Sequence, residues 1–351
     1  MYHLWNGSNP FPKCAEMNIL SESKYVNIHT AIEGEYQFLL GSAIIKHNDV
    51  FRSSWGNSFR MENDNNTILA EKISSDGGET WTEYKKLSQT DTGFGRSHGV
   101  YFEHMGKLYA FCPKAEFDRV DAYPELKMEA YVFNNGTWDN LGIVLDADFW
   151  PMCQPILLDN GTLVMAGLKT DDARAAVALC NGANLTQWEM KVLPNRNQYK
   201  HWGETTILKQ ADKLIAIVRA ELGINCVLVS ESYDNGKTWS DLEKSNFPIA
   251  LSKMYAGVLD DGTNYLIFNP MGEGADINAR DALCIAVGKD LFERVYIIRH
   301  GFETKPRFWG NNEWCYPYAY EDRETGKLYV VYAKNKEDCE LAIIPTHVLF
   351  E

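Results

Sequence analysis

Residues 74–81 read Ser-Ser-Asp-Gly-Gly-Glu-Thr-Trp, and residues 232–239 read Ser-Tyr-Asp-Asn-Gly-Lys-Thr-Trp. Both obey the pattern Ser-x-Asp-x-Gly-x-Thr-Trp, whose chemistry is local. Ser and Asp side chains satisfy backbone N–H groups in a tight turn, Gly supplies a positive φ, and Trp packs into the adjoining sheet. Residues 184–188 (Asn-Leu-Thr-Gln-Trp) and 135–138 (Asn-Gly-Thr-Trp) read as degenerate copies.

Outward from these turns the chain repeats one shape, an apolar run, a polar turn and a second apolar run, which is the signature of a β-hairpin. It occurs six times, starting at Gly41, Gly99, Pro155, Thr205, Ala256 and Pro317, at intervals of 50–61 residues. That interval fits one four-stranded blade with its loops, so the sequence predicts an all-β, six-bladed β-propeller. Strand-and-turn units after the first five hairpins supply outer strands, but after the sixth only one strand remains before the C-terminus. Residues 23–30 (SKYVNIHT) are predicted to provide the missing outer strand and so to close the ring. Residues 1–351 contain no linker or shift in composition and read as one domain.

Composition bounds the function. Lys and Arg number 34 against 48 Asp and Glu, a net charge of −14, which argues against a nucleic-acid or anionic-membrane surface. Aromatic residues make up 13% of the chain, consistent with a β-rich or sugar-binding protein. No apolar run is long enough for a membrane-spanning helix. The N-terminus shows no basic and apolar leader pattern, so a cytoplasmic location is expected. The eight cysteines form no CxxC pair and read as buried free thiols rather than a disulfide framework or zinc site.

The Ser-x-Asp-x-Gly-x-Thr-Trp turn is the Asp-box, and with the six-fold repeat the chain resembles the sialidase (neuraminidase) superfamily of six-bladed propellers. The resemblance covers essentially the whole chain. It implies an exo-acting glycoside hydrolase that removes a terminal acidic sugar, sialic acid or similar, without a metal or organic cofactor. In that family a tyrosine activated by a glutamate is the nucleophile, an aspartate is the acid/base, and three arginines hold the substrate carboxylate, a geometry suited to bidentate guanidinium pairing.

On that resemblance Glu204, in Trp-Gly-Glu-Thr at 202–205, matches the glutamate, and Arg219 the second clamp arginine. Arg280 matches the third. Tyr316 matches the nucleophile, with Tyr318, two residues on, as the alternative. The loop after blade one offers Asp64 and Glu62 as acid/base. The first clamp arginine has no counterpart, because its triplet corresponds to Gln37-Phe38-Leu39; Arg52 and Arg60 lie later in that blade, out of register. From the residues themselves, the starts of the innermost strands line the axis of a propeller, which adds Gln37 or Leu40, His98, Gln154 and Tyr255 to a mostly polar and aromatic pocket. Trp150 and Trp202 are candidates for stacking on a sugar, and Lys253 for a further cation. The missing arginine keeps open a glycosidase or lyase acting on another (uronic or deoxy) acidic sugar. Because fold does not fix function, a non-catalytic carbohydrate-binding propeller also stays open.

Overall fold

A computed structural model describes residues 1–59, 61–117, 125–308 and 310–350. Six antiparallel sheets are arranged as a propeller, each built on one of the predicted hairpins. Blade one runs outward from the axis as Phe38–His47, Val50–Ser58, Ile68–Ser74 and Lys85–Lys86. Blade four repeats this as His201–Gln210, Lys213–Ala220, Cys226–Ser232 and Glu243–Pro248. The inner two strands of blade one are buried along almost their whole length, although Val50–Ser58 carries Arg52, Ser53, Ser54 and Asn57 among its apolar residues.

Ring closure occurs where the sequence places it. Lys24–Thr30 pairs antiparallel with Asp338–Pro345, the third strand of blade six, with Val26 opposite Leu341. The first twenty residues add something the strand pattern did not announce. Asn18–Ile19 joins the outer edge of blade five in parallel, and single bridges tie Tyr2 to Ser245 and Trp5 to Phe292. The segment is anchored by aromatic packing, with Phe11 set edge-on to Trp5, Phe247 and Phe268 at 4.9–6.2 Å.

The two full Asp-boxes form the turns that the pattern requires. Asp76 Oδ1 accepts from the N–H groups of Glu79 and Thr80, Ser74 Oγ accepts from Gly78 N–H, and Trp81 Nε1 donates to the Gly78 carbonyl. The second box repeats these bonds from Ser232 to Trp239. Gly78 and Gly236 take φ of 88° and 82°, and a Cβ on either would stand 3.1 Å from a leucine of the preceding blade, Leu341 or Leu179. Residues 184–188 keep the motif in reduced form, with Trp188 Nε1 donating to the Leu185 carbonyl. Residues 135–138 differ. Asn135 and Gly136 make a two-residue hairpin with positive φ at both, and Trp138 Nε1 reaches Glu71 in blade one.

All eight cysteines are unpaired, seven of them buried. No helix among the described residues is long and apolar enough to cross a membrane.

Candidate functional site

The direction of each blade decides which side chains meet. The innermost strand starts at one face of the ring and ends in a hairpin turn at the other, where the Asp-boxes also lie. The starts of first strands, the ends of second strands and the loops before third strands therefore share the first face. Tyr316, Glu204, Arg219, Arg280 and the loop carrying Glu62 and Asp64 all belong to it.

Three inner strands bend on this face. Pairing slips between Leu40 and Ser42 in blade one, between His201 and Thr205 in blade four and between Cys315 and Tyr318 in blade six. The extra residue has positive φ in each: Gly41 at 55°, Gly203 at 80° and Tyr316 at 53°. Glycine accepts that conformation freely, whereas a tyrosine resists it, and backbone strain of this kind concentrates at functional sites. Gly41 is also required for space, since a Cβ there would lie 2.3 Å from the ring of His98.

Around the Tyr316 ring the charges gather. Arg219 Nη1 is paired with Glu204, and the Arg219 guanidinium lies 5.7 Å from the ring of Trp202, which stands half-exposed at the rim. Arg280 Nη1 donates to Glu313 Oε2 at 2.8 Å and its Nη2 to the Leu251 carbonyl at 2.8 Å. Lys336 Nζ is 3.1 Å from Glu62 and 5.7 Å from the Tyr316 ring centre. Burial above all, then the negative charges of Glu62 and Glu204, push the Tyr316 phenol well above its ordinary pKa, against Arg219 and Arg280. The phenol is thus protonated in the free protein, with two carboxylates near enough to influence it.

His98 packs beneath, its ring 4.9 Å from Trp150 and 5.7 Å from Tyr316. Burial, helped by the charge of Lys253, pushes its pKa down to about 3, so the imidazole is neutral near pH 7. Neither ring nitrogen has a hydrogen-bond partner among the described residues. Lys253 is itself buried, with Nζ 3.2 Å from the Pro317 carbonyl.

Other expected members lie elsewhere. Tyr318 and Tyr255 pack against each other one layer down the axis, their ring centres 4.5 Å apart and their planes tilted by 41°. Tyr255 and Gln154 line a cavity of about 710 Å³ that opens on the opposite face among Lys209, Glu321 and Asp322. The reason lies in their strands: the first strand of blade five is only Tyr255–Val258, and that of blade three is split into Phe149–Pro151 and Ile156–Leu157 around Gln154. Asp64 caps its own loop, with Oδ1 accepting from Asn66 N–H at 2.7 Å, so Glu62 is the carboxylate of that loop set close to Tyr316. Gln37 is half-buried at the mouth of blade one, its N–H donating to the Phe59 carbonyl. Arg52 is a structural cation, paired with Glu71 at 3.0 Å and stacked 3.8 Å from the Phe133 ring at the boundary of blades one and two. Arg60 lies outside the described residues. Two members, Glu313 and Lys336, were missed by the sequence reading. Both sit in short polar stretches at strand ends, where only the direction of blade six betrays that they face the axis.

Six blades of four or five strands, Asp-box turns on one face and a charged, tyrosine-centred pocket on the other define a sialidase-like β-propeller. The chain belongs to the BNR repeat-like domain family, whose model matches residues 150–330. No curated protein matches it in sequence. Among solved structures it is similar to a protein of unknown function from Dyadobacter fermentans, at 14% identity and TM-score 0.71, over 92% of this chain and 99% of that one. It is similar to the intramolecular trans-sialidase from Ruminococcus gnavus in complex with oseltamivir carboxylate, at 12% identity and TM-score 0.68, over 92% and 98%. It is also similar to Trypanosoma rangeli sialidase in complex with 2,3-difluorosialic acid as a covalent intermediate, at 15% identity and TM-score 0.65. That match covers 95% of this chain but 60% of the other. At these identities the likeness is one of fold.

Proposed function

We propose that the protein is an exo-acting glycoside hydrolase that removes a terminal acidic sugar, sialic acid or similar, with retention of configuration. The observation that carries this reading is Tyr316, a buried tyrosine held at positive φ amid Glu62, Glu204, Arg219 and Arg280. In this mechanism Tyr316 Oη attacks the anomeric carbon while its proton passes to Glu204. The departing glycosidic oxygen takes a proton from Glu62, with Asp64 as the second candidate. Water then attacks the anomeric carbon of the glycosyl–tyrosine, giving its proton to the carboxylate that protonated the leaving group, while Glu204 returns its proton to the departing Tyr316 oxygen and restores the phenol. Arg219 has donors beyond the one bound to Glu204, including a buried Nε without a partner among the described residues, and with Arg280 it holds the substrate carboxylate. Trp202 offers an exposed ring for the sugar face.

Hydrolysis of a chromogenic sialoside tests the reading. Glu204→Gln is expected to lower kcat by about 10²–10⁴-fold, and Tyr316→Phe to reduce turnover to background with the fold intact. Failure of the intact protein to turn over any sialoside would overturn the sialidase version. A second reading, a glycosidase or lyase acting on a uronic or deoxy acidic sugar, is favoured by Gln37-Phe38-Leu39, which brings no guanidinium to the blade-one side. Mass spectrometry of products separates the two, since a lyase leaves an unsaturated sugar and adds no water.

A further inference from the structure

Lys336 lies in the turn between Lys327–Lys334 and Asp338–Pro345 of blade six. Asn335 and Lys336 take φ of 59° and 55°, a conformation that side chains resist unless the surroundings hold it. They are held here. Asn335 N–H donates to the Glu313 carbonyl at 2.7 Å, Glu313 N–H donates to Asn335 Oδ1 at 3.1 Å, and Leu39 N–H donates to the Lys336 carbonyl at 2.6 Å. The result is a lysine 8% exposed, fixed over the opening strand of blade one, rather than a solvated turn residue.

Its ammonium stands 3.7 Å from Glu313 Oε1, while Arg280 holds Glu313 Oε2 at 2.8 Å. Cations from two different blades thus already converge on one carboxylate beside Tyr316. Glu313 Oε1 accepts no hydrogen bond among the described residues, and it is buried. Burial works against the lysine charge, but Glu62 and then Glu313 outweigh it and hold the pKa above its ordinary value. Lys253, Lys336, Arg219 and Arg280 face Glu62, Glu204 and Glu313, a concentration of cations within a chain whose net charge is −14.

We propose that Lys336 joins Arg219 and Arg280 in binding the carboxylate of the ligand, and that Lys336 makes the pocket prefer an anionic over a neutral ligand. The proposal rests on the acidic-sugar reading above. A lysine is a point charge on a flexible stem and so sets charge preference without the bidentate geometry of arginine.

Calorimetric titration with the sialic-acid analogue DANA and with its uncharged methyl ester tests it. The wild type is expected to prefer DANA. Lys336→Met is expected to lose roughly 10- to 100-fold in DANA affinity while its ester affinity is unchanged, and Lys336→Arg to stay within about threefold of wild type. Unchanged ester binding reports an intact fold, and Lys336→Gln, which keeps hydrogen bonding without charge, repeats the test if the methionine variant does not fold. Equal loss for both ligands, or no loss for either, overturns the role of Lys336 alone. A wild type that binds neither ligand overturns the acidic-sugar reading and this proposal with it.

Discussion

Two buried residues on the axis carry opposite kinds of tension. Tyr316 stores its tension in the backbone, at the bulge where blades one and four use glycine. Lys253 stores it in charge: burial pushes its pKa down from the ordinary 10.5 to about 8, only partly countered by Glu204. Because the folded value lies below the unfolded one, the unfolded chain binds the extra proton between about pH 8 and 10.5, and stability rises with pH across that window. Lys253→Met is therefore expected to stabilise the protein at pH 7 by roughly 1–3 kcal/mol, an advantage that shrinks toward pH 10.5. Denaturant unfolding of both proteins at several pH values between 7 and 10.5 checks this, and parallel curves would contradict it. Glu204, Arg219, Arg280 and Tyr316 were legible in the sequence because each ends an apolar run or resembles a family position. Glu313 and Lys336 were not, since they lie in short polar stretches without periodicity and their burial depends on contacts between blades one, five and six.

At the scale of elements, the Asp-boxes and the axial pocket are separate devices at opposite ends of the strands. Glu204 and the Lys209 end of the same strand are five residues, or about 17 Å, apart. Each full box ties its blade to the preceding one, through Gly78 against Leu341 and Gly236 against Leu179. Gly236→Ala is expected to lower stability by about 1–2 kcal/mol, through its φ of 82° and the close leucine, while leaving kcat/KM unchanged. Thermal unfolding with an activity assay on the same samples checks both parts. Asp76 shows why the motif is so easily read: hydrogen bonds led by that from the Thr80 hydroxyl hold its carboxyl well below the usual carboxylate range, and all its partners lie within four residues. The box is local chemistry, whereas the depth of an inner strand along the axis is not. Gln154, Tyr255 and Tyr318 were assigned to the wrong layer because bulges and short or split strands shift the register by one or two residues.

For the whole molecule, the closing strand and the charge balance matter most. Lys24–Thr30 covers an edge that is buried along nearly all of Asp338–Pro345, and residues 1–20 cover blades four and five. Deleting residues 1–32 is expected to abolish the cooperative thermal transition; a truncated chain that keeps it would show that closure by this strand is dispensable. The closing strand was legible from the count of strands alone, while the anchoring of residues 1–20 was not, because it depends on aromatic packing without alternation. With a net charge of −14 the exterior repels anionic glycans, so the proposed recognition of an acidic sugar rests on the cations around Tyr316. The most direct test of that account is intact-protein and peptide mass spectrometry after incubation with 2,3-difluorosialic acid. The account predicts one covalent glycosyl adduct, mapped to Tyr316 and absent in Tyr316→Phe; no adduct, or one on another residue, would contradict it.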